Sequence, residues 1–125
     1  MSDFEKRNHD YIIGISSVAG ERGRQSNYIY GFAKGSSSVY LSGLRNRLNK
    51  SNGNVITVLP GFIRTKMTEN MDLPEKLMAT PEEVAEYVYK AYRKSKDIVY
   101  TKWFWRLIMF IIKIIPEKIF KSMDL

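Results

Sequence analysis

Two short apolar runs constrain the fold of this chain more than any other feature. One is YIIGISS at residues 11–17, and the other is NVITVLPG at residues 54–61. Both are short for a helix and rich in β-branched residues. Both stop at small or turn-forming residues, the second at Pro-Gly. Continuous apolar runs, as opposed to alternating ones, belong to strands covered on both faces, and parallel sheets are built from such strands. A third and shorter run, DIVYT at residues 97–101, reads the same way.

Parallel neighbours need a crossover, and the segments between these runs can supply one. Residues 27–49 carry Phe32, Ser36, Val39, Tyr40, Gly43, Leu44 and Leu48 at helical spacing, and the KSNGN cluster ends the helix. The second segment, TPEEVAEYVYKAYRKS, opens with start signals. Thr80 is a good N-cap, Pro81 suits the first helical position, and Glu83 completes a capping box. Val84, Val88 and Ala91 share one face of that helix. The order is strand, helix, strand, loop, helix, strand, which implies an α/β layer with right-handed crossovers. Three strands make a narrow sheet with open edges. The pattern is therefore part of an α/β layer and not a whole one.

With 125 residues the chain has room for about one domain. Its 20 Lys+Arg against 13 Asp+Glu leave a formal net charge of +7. Such an excess points to an anionic partner, whether phosphorylated cofactor, anionic lipid or nucleic acid. No helix-turn-helix, zinc-finger or RNA-recognition signature is present, which argues against nucleic acid. There is no cysteine, so disulfides and zinc–thiolate sites are excluded, in keeping with a reducing, cytoplasmic setting. The opening MSDFEKRNHD lacks the apolar centre of a signal peptide. His9, the single histidine, has no metal-ligand neighbours in sequence and reads as a surface residue; no metal site is expected.

From Lys102 the character changes. Residues 102–125, KWFWRLIMFIIKIIPEKIFKSMDL, are strongly apolar with interspersed bases. The apolar run at 103–115 contains Arg106 and Lys113 and falls short of the roughly 20 apolar residues a spanning helix needs. Two placements stay open. The tail is either docked on protein or laid on a membrane surface through Trp103, Trp105 and the flanking bases. The chain thus divides into residues 1–101, carrying the strands, and the tail at 102–125.

The chemistry concentrates in ISSVAGERGRQSNYIYGFAKG, residues 15–35. Tyr30 and Lys34 are four apart and share a face on a helix. A free phenol, with a pKa of about 10, is a poor base at neutral pH. An ammonium one helical turn away favours the phenolate. Such a pair makes sense as a proton donor or acceptor for a carbonyl–alcohol couple. Taken alone, Tyr and Lys at this spacing usually mean only an amphipathic helix. Context strengthens the pair. Ser17 ends a predicted strand, and PGFIRT (60–65) follows another. In doubly wound sheets the chemistry sits outside the carboxyl ends of the strands.

SSVAG with Ser17, YGFAK with Tyr30 and Lys34, and PGFIRT with Pro60, Gly61 and Thr65 stand in the order and spacing of one known family. The chain resembles the C-terminal half of a short-chain dehydrogenase/reductase, over roughly residues 10–68. The resemblance implies the C-terminal half of a doubly wound, Rossmann-type parallel sheet. It also implies an NAD or NADP cofactor and a carbonyl or alcohol substrate. Tyr30 would be the general acid/base, and Ser17 would hydrogen-bond the substrate oxygen. Lys34 would lower the tyrosine pKa and bind the nicotinamide ribose. Pro60, Gly61 and Ile63 would line the nicotinamide, with Thr65 bonding its carboxamide. Ser16 reads as structural, and Tyr28 reads as a packing residue on another side of the helix.

A narrower similarity joins SSVAGERGRQSNYIYGFAKG, GLRNRL and the tail to decaprenylphosphoryl-2-keto-ribose reductases and their relatives. It implies a keto-sugar on a polyprenyl phosphate as substrate and a peripheral membrane role for the tail. A complete member of the family opens with a strand, a Gly-rich turn and a helix that seat the cofactor pyrophosphate. No G-x-G-x-x-G occurs here, so the choice between NAD and NADP is not legible. The expectation is that Met1 falls inside a longer protein and that this chain cannot complete the site alone. The competing reading is a non-catalytic module for a membrane surface or a subunit contact. Relatives often pair through the helix at 28–49, so a homo-oligomer is also expected.

Overall fold

The computed structural model describes residues 10–63 and 75–124. Three strands form a parallel sheet in the order β1-β2-β5, with β1 at Tyr11–Ile15, β2 at Asn54–Pro60 and β5 at Ile98–Thr101. The α/β architecture with a parallel sheet is the one expected from the apolar runs. The long crossover from β1 to β2 is helix α1, Tyr28–Leu48. A 3₁₀ turn at Asn49–Ser51 and a left-handed Asn52 then end it within the KSNGN cluster. The second crossover contains helix α2, Pro81–Arg93. Its capping box forms as expected: the Glu83 amide donates to the Thr80 hydroxyl at 3.1 Å, and the Thr80 amide donates to the Glu83 carboxylate at 3.2 Å. The loop between β2 and α2 holds a feature that the sequence pattern does not announce. Two-residue strands β3 (Phe62–Ile63) and β4 (Met78–Ala79) pair in parallel as a separate ladder.

The helices cover opposite faces of the sheet. On one face Leu41, Leu44 and Leu48 of α1 pack on Val55, with Ile12 beside them. On the other, Ala91, Tyr87 and Val88 of α2 meet Ile56, Val58, Val99 and Tyr11. The period-two alternation of β2 explains the division. Arg45 ties α1 to the sheet by donating to the Val55 carbonyl at 2.9 Å, the Thr57 hydroxyl at 2.6 Å and the Asp97 carbonyl at 2.9 Å.

The residues at helical spacing on α1 divide between two environments. Leu44 and Leu48 are in the core, but Phe32, Ser36, Val39, Tyr40 and Gly43 are exposed, while Gly31 and Leu41 are buried. The helix is apolar on two sides, so spacing alone could not select the side that meets the sheet. At the sheet edge, Ile13 and Ile15 of β1 are exposed and lie on the face of Tyr11, beyond the cover of α2.

At the far edge, the Thr101 hydroxyl is buried without a hydrogen-bond partner among the described residues. An unsatisfied buried hydroxyl costs about 1–3 kcal/mol, whereas an isosteric methyl costs nothing in hydrogen bonding. Thr101→Val is therefore expected to hold or raise stability, by about 1 kcal/mol in urea unfolding. A marked loss of stability would show that this hydroxyl is engaged.

Candidate active site at the strand ends

The site is built from β1, α1 and β2 where their ends meet. After Ile15 the chain stays bound to the sheet, since the Ser16 amide donates to the Val58 carbonyl at 2.8 Å. It then turns through a 3₁₀ segment, Val18–Gly20, capped by Ser17. Ser16 is structural in a specific way. Its buried hydroxyl donates to the Lys34 carbonyl at 2.8 Å and lies 2.7 Å from the Ser38 hydroxyl, fastening the end of β1 to α1.

Glycines let this turn sit directly against the helix. A Cβ on Gly31 would lie 2.8 Å from the Ala19 carbonyl oxygen, and one on Gly35 would lie 3.0 Å from that of Gly20. A Cβ on Gly20 would come within 2.6 Å of the Gly35 nitrogen. Gly31 follows Tyr30 and Gly35 follows Lys34, so the turn that carries Ser17 rests on the same helical turn as the tyrosine and lysine. No glycine among the described residues has a positive φ. Those at 20, 31 and 35 serve close approach, not an unusual backbone shape.

Each of the three side chains keeps a free hydrogen-bonding function. The Ser17 hydroxyl is buried and accepts from the Ala19 amide at 3.1 Å. That bond orients the oxygen and leaves its proton available to donate. Tyr30 is 46% exposed, and its hydroxyl makes no hydrogen bond among the described residues. Lys34 is half-buried as a residue, with its ammonium 5.7 Å from the Tyr30 ring centroid. It has no ion pair or hydrogen bond among the described residues. Tyr28, expected to pack, is exposed instead.

The second strand end contributes Pro60, buried and paired with Thr101, then Gly61, and Ile63 within β3, paired with Ala79. Thr65 lies outside the described residues. Gly61 is bare for a reason the sequence does not reveal. The Trp105 indole occupies the space where its Cβ would stand, with the nearest atom at 2.2 Å, and the same indole meets the Phe62 ring edge-on at 5.6 Å.

Trp105 belongs to helix α3, Phe104–Ile114, which is followed by the short helix α4, Glu117–Phe120. The inner face of α3 is docked, with Trp105 and Met109 buried. Its outer face is not, since Trp103, Leu107, Phe110 and Ile114 are exposed. No helix among the described residues is long and apolar enough to cross a membrane.

Beside the docked face, the Tyr100 hydroxyl donates to Glu21, and the Arg106 guanidinium lies 5.4 Å from the Tyr100 ring centroid. Burial, and then the Glu21 carboxylate, hold the Tyr100 phenol protonated well above the ordinary tyrosine range. The folded state thus keeps a proton that the unfolded chain releases above about pH 10. The resulting stabilisation is complete below that pH and is lost as pH rises beyond it. Urea midpoints are expected to fall more steeply above about pH 10 for the parent chain than for Tyr100→Phe; parallel slopes would count against this assignment.

Comparison with known proteins bears on the family and the fold. The family model described as short chain dehydrogenase matches residues 1–76. An uncharacterized oxidoreductase of Mycobacterium tuberculosis is 34% identical over 112 residues, covering 90% of this chain and 45% of that protein. Another, from Streptomyces coelicolor, is 27% identical over 119 residues, covering 95% of this chain and 47% of its own length. A short chain dehydrogenase from Burkholderia cenocepacia, solved in complex with NADP, superposes with a TM-score of 0.77 at 26% identity, over 90% of this chain and 46% of that one. One from Sphingobium yanoikuyae, in complex with NADPH, gives 0.71 at 19% identity, over 93% and 50%, and shares the fold. The chain spans about half the length of the curated relatives it matches.

Proposed function

Because this chain belongs to the short-chain dehydrogenase family, we propose that it carries the proton-handling half of an NAD- or NADP-dependent site that interconverts a carbonyl and an alcohol. The observation that carries the reading is the seating of the Ser17 turn on the Tyr30–Lys34 turn of α1 through Gly20, Gly31 and Gly35. Ser17 sits on that turn, and Tyr30 and Lys34 on the stretch of α1 beneath it, each with a hydrogen-bonding function not used among the described residues. A nicotinamide ring supplies or accepts the hydride when bound. Tyr30 hands its proton to the carbonyl oxygen during reduction and takes it back during oxidation. Ser17 donates its free hydroxyl proton to the same oxygen and stabilises the charge that develops on it. Lys34 offers its ammonium to ribose hydroxyls. That it has no ion pair or hydrogen bond among the described residues is what fits this chain to the ribose end of the cofactor. Pro60, Gly61 and Ile63 would line the ring; Thr65, expected from the sequence to bond the carboxamide, lies outside the described residues. These 125 residues contain no G-x-G-x-x-G turn of the kind that seats a pyrophosphate.

The test joins the N-terminal half of a relative to this chain and follows ketone-dependent oxidation of NADH and of NADPH. Turnover with either cofactor supports the proposal. Absence of turnover across a panel of ketones and keto-sugars, in a folded protein, rejects it.

The exposed outer face of α3, bordered by Arg106 and Lys113, favours a second element: a membrane-surface role for the tail. A keto-sugar on a polyprenyl phosphate is the substrate that would use both parts. Flotation with anionic liposomes, with and without residues 102–125, separates this role from a purely protein-bound tail. Equal flotation of both forms would remove it. The outward stripe of α1, with Phe32, Val39 and Tyr40, is the surface proposed for pairing with a second copy. A monomer by light scattering at high concentration would exclude that.

A further inference from the structure

Glu21 and Arg22 follow the Val18–Gly20 turn directly, and both reach the C-terminal helices. The Arg22 guanidinium donates through Nη1 to the carbonyls of Ile112 at 2.6 Å and Ile115 at 2.8 Å, and through Nη2 to the Glu117 carboxylate at 2.9 Å. Its carbon lies 3.7 Å from the centroid of the Phe120 ring. The last carbonyls of a helix have no partners within it and carry its negative end, so a planar cation there is favoured twice over. The stacking on Phe120 adds a cation–π contact. Glu21, next in the chain, accepts from Lys113 Nζ at 3.2 Å and from the Tyr100 hydroxyl. Both side chains are 16% exposed, so these charges are held largely away from solvent and are matched there.

We propose that Glu21 and Arg22 form a clasp through which the C-terminal helices position the turn bearing Ser17. They would be positioning residues for the reaction described above; the proposal rests on that reading only for its catalytic consequence. The turn has two supports. On one side are the glycine contacts with α1. On the other is the tail, and there apolar packing is incomplete. A partly open cavity of about 60 Å³ remains there, with Val18, Ala19, Phe62, Trp105 and Met109 in its lining beside Arg22. Packing with a gap does not define a position as sharply as close packing does. The directional bonds of Arg22 to two carbonyls and a carboxylate supply that definition. Lysine at this position would keep the charge but lose the fork and the stacking plane.

Hydrogen–deuterium exchange on this 125-residue chain tests the clasp without any need for turnover. Arg22→Gln is expected to speed exchange about tenfold or more in residues 16–26 and in 104–120, while 54–60 in β2 stays protected. Arg22→Lys should fall between parent and glutamine. Faster exchange in 104–120 alone would overturn the proposal, because the tail would then lean on the turn without holding it. Unchanged exchange in both segments would overturn it equally. If Arg22→Gln loosens β2 as well, Glu117→Ala decides the matter, since it removes one bond to an exposed acid. The proposal requires a smaller acceleration in both segments, and one confined to the tail refutes it. In the joined polypeptide, Arg22→Gln should lower kcat about tenfold or more with the KM for NAD(P)H nearly unchanged, since Ser17 is displaced and Lys34 is not. If the parent polypeptide shows no turnover, the functional reading fails, and the exchange pattern still judges the clasp.

Discussion

Tyr30→Phe is expected to lower kcat of the joined polypeptide by about 10²–10⁴-fold while leaving the fold and cofactor affinity intact. The substitution removes one oxygen atom. The ring stays, and so does its neighbour Lys34 at 5.7 Å from the centroid. The side chain is nearly half exposed and its hydroxyl bonds nothing among the described residues, so no packing or hydrogen bond is lost. Stability should therefore move by less than about 0.5 kcal/mol, as for surface substitutions generally. This separation makes the experiment decisive. A residue that mattered only for structure would lose activity through Tm, while a proton donor loses it at constant Tm. Ser17→Ala should also reduce kcat, but with some structural cost, because the Ser17 hydroxyl caps the Val18–Gly20 turn. Full turnover by Tyr30→Phe would remove the phenol from the mechanism and leave the α1 pair without a role.

The strands and both crossover helices were legible because their signals are local. The β-branched runs, the KSNGN stop and the Thr80–Glu83 box each act within a few residues. The candidate site was legible for a different reason. Chemistry on a parallel sheet gathers at the carboxyl ends of strands, so Ser17 and Pro60 could be placed on one rim once the strands were found. What stayed hidden depends on contacts distant in sequence. The buried side of α1 is decided by where the sheet lies, and a helix with Phe32 and Val39 on one side and Leu41 and Leu44 on another does not declare it. The β3–β4 ladder is too short to have a period. Nothing near Gly61 says that Trp105, 44 positions on, fills the space beside it. Arg22 reads as one more loop cation until the C-terminal carbonyls of α3 are brought beneath it. One missed signal was in plain view. Gly31 and Gly35, four apart on the helix, mark a strip where another backbone can come close.

That strip supports the second large effect. Gly20→Ala is expected to cost about 1–3 kcal/mol and to lower kcat about 10²-fold, while Gly23→Ala, three residues away, changes neither for the worse. A methyl on Gly20 would stand 2.6 Å from the Gly35 nitrogen and 2.7 Å from the Lys34 carbonyl carbon. Both are backbone atoms of a regular helix, so no side chain can swing aside and the turn itself must retreat. Ser17 is three residues upstream, joined to that turn through its bond from the Ala19 amide, and would be carried away from Tyr30. A misplacement of about 1 Å at a reacting group is enough for a loss of this size. Gly23 meets nothing within 4 Å of its Cβ, and its φ is not positive. Alanine there should raise stability slightly, by about 0.4–1 kcal/mol, through the reduced freedom of the unfolded chain. The pair of variants separates close approach from loop flexibility as the reason for glycine in this loop. If both alanines reduced turnover alike with Tm unchanged, mobility of the loop would be the requirement. If neither did, the seating of the turn on α1 would not be what positions Ser17.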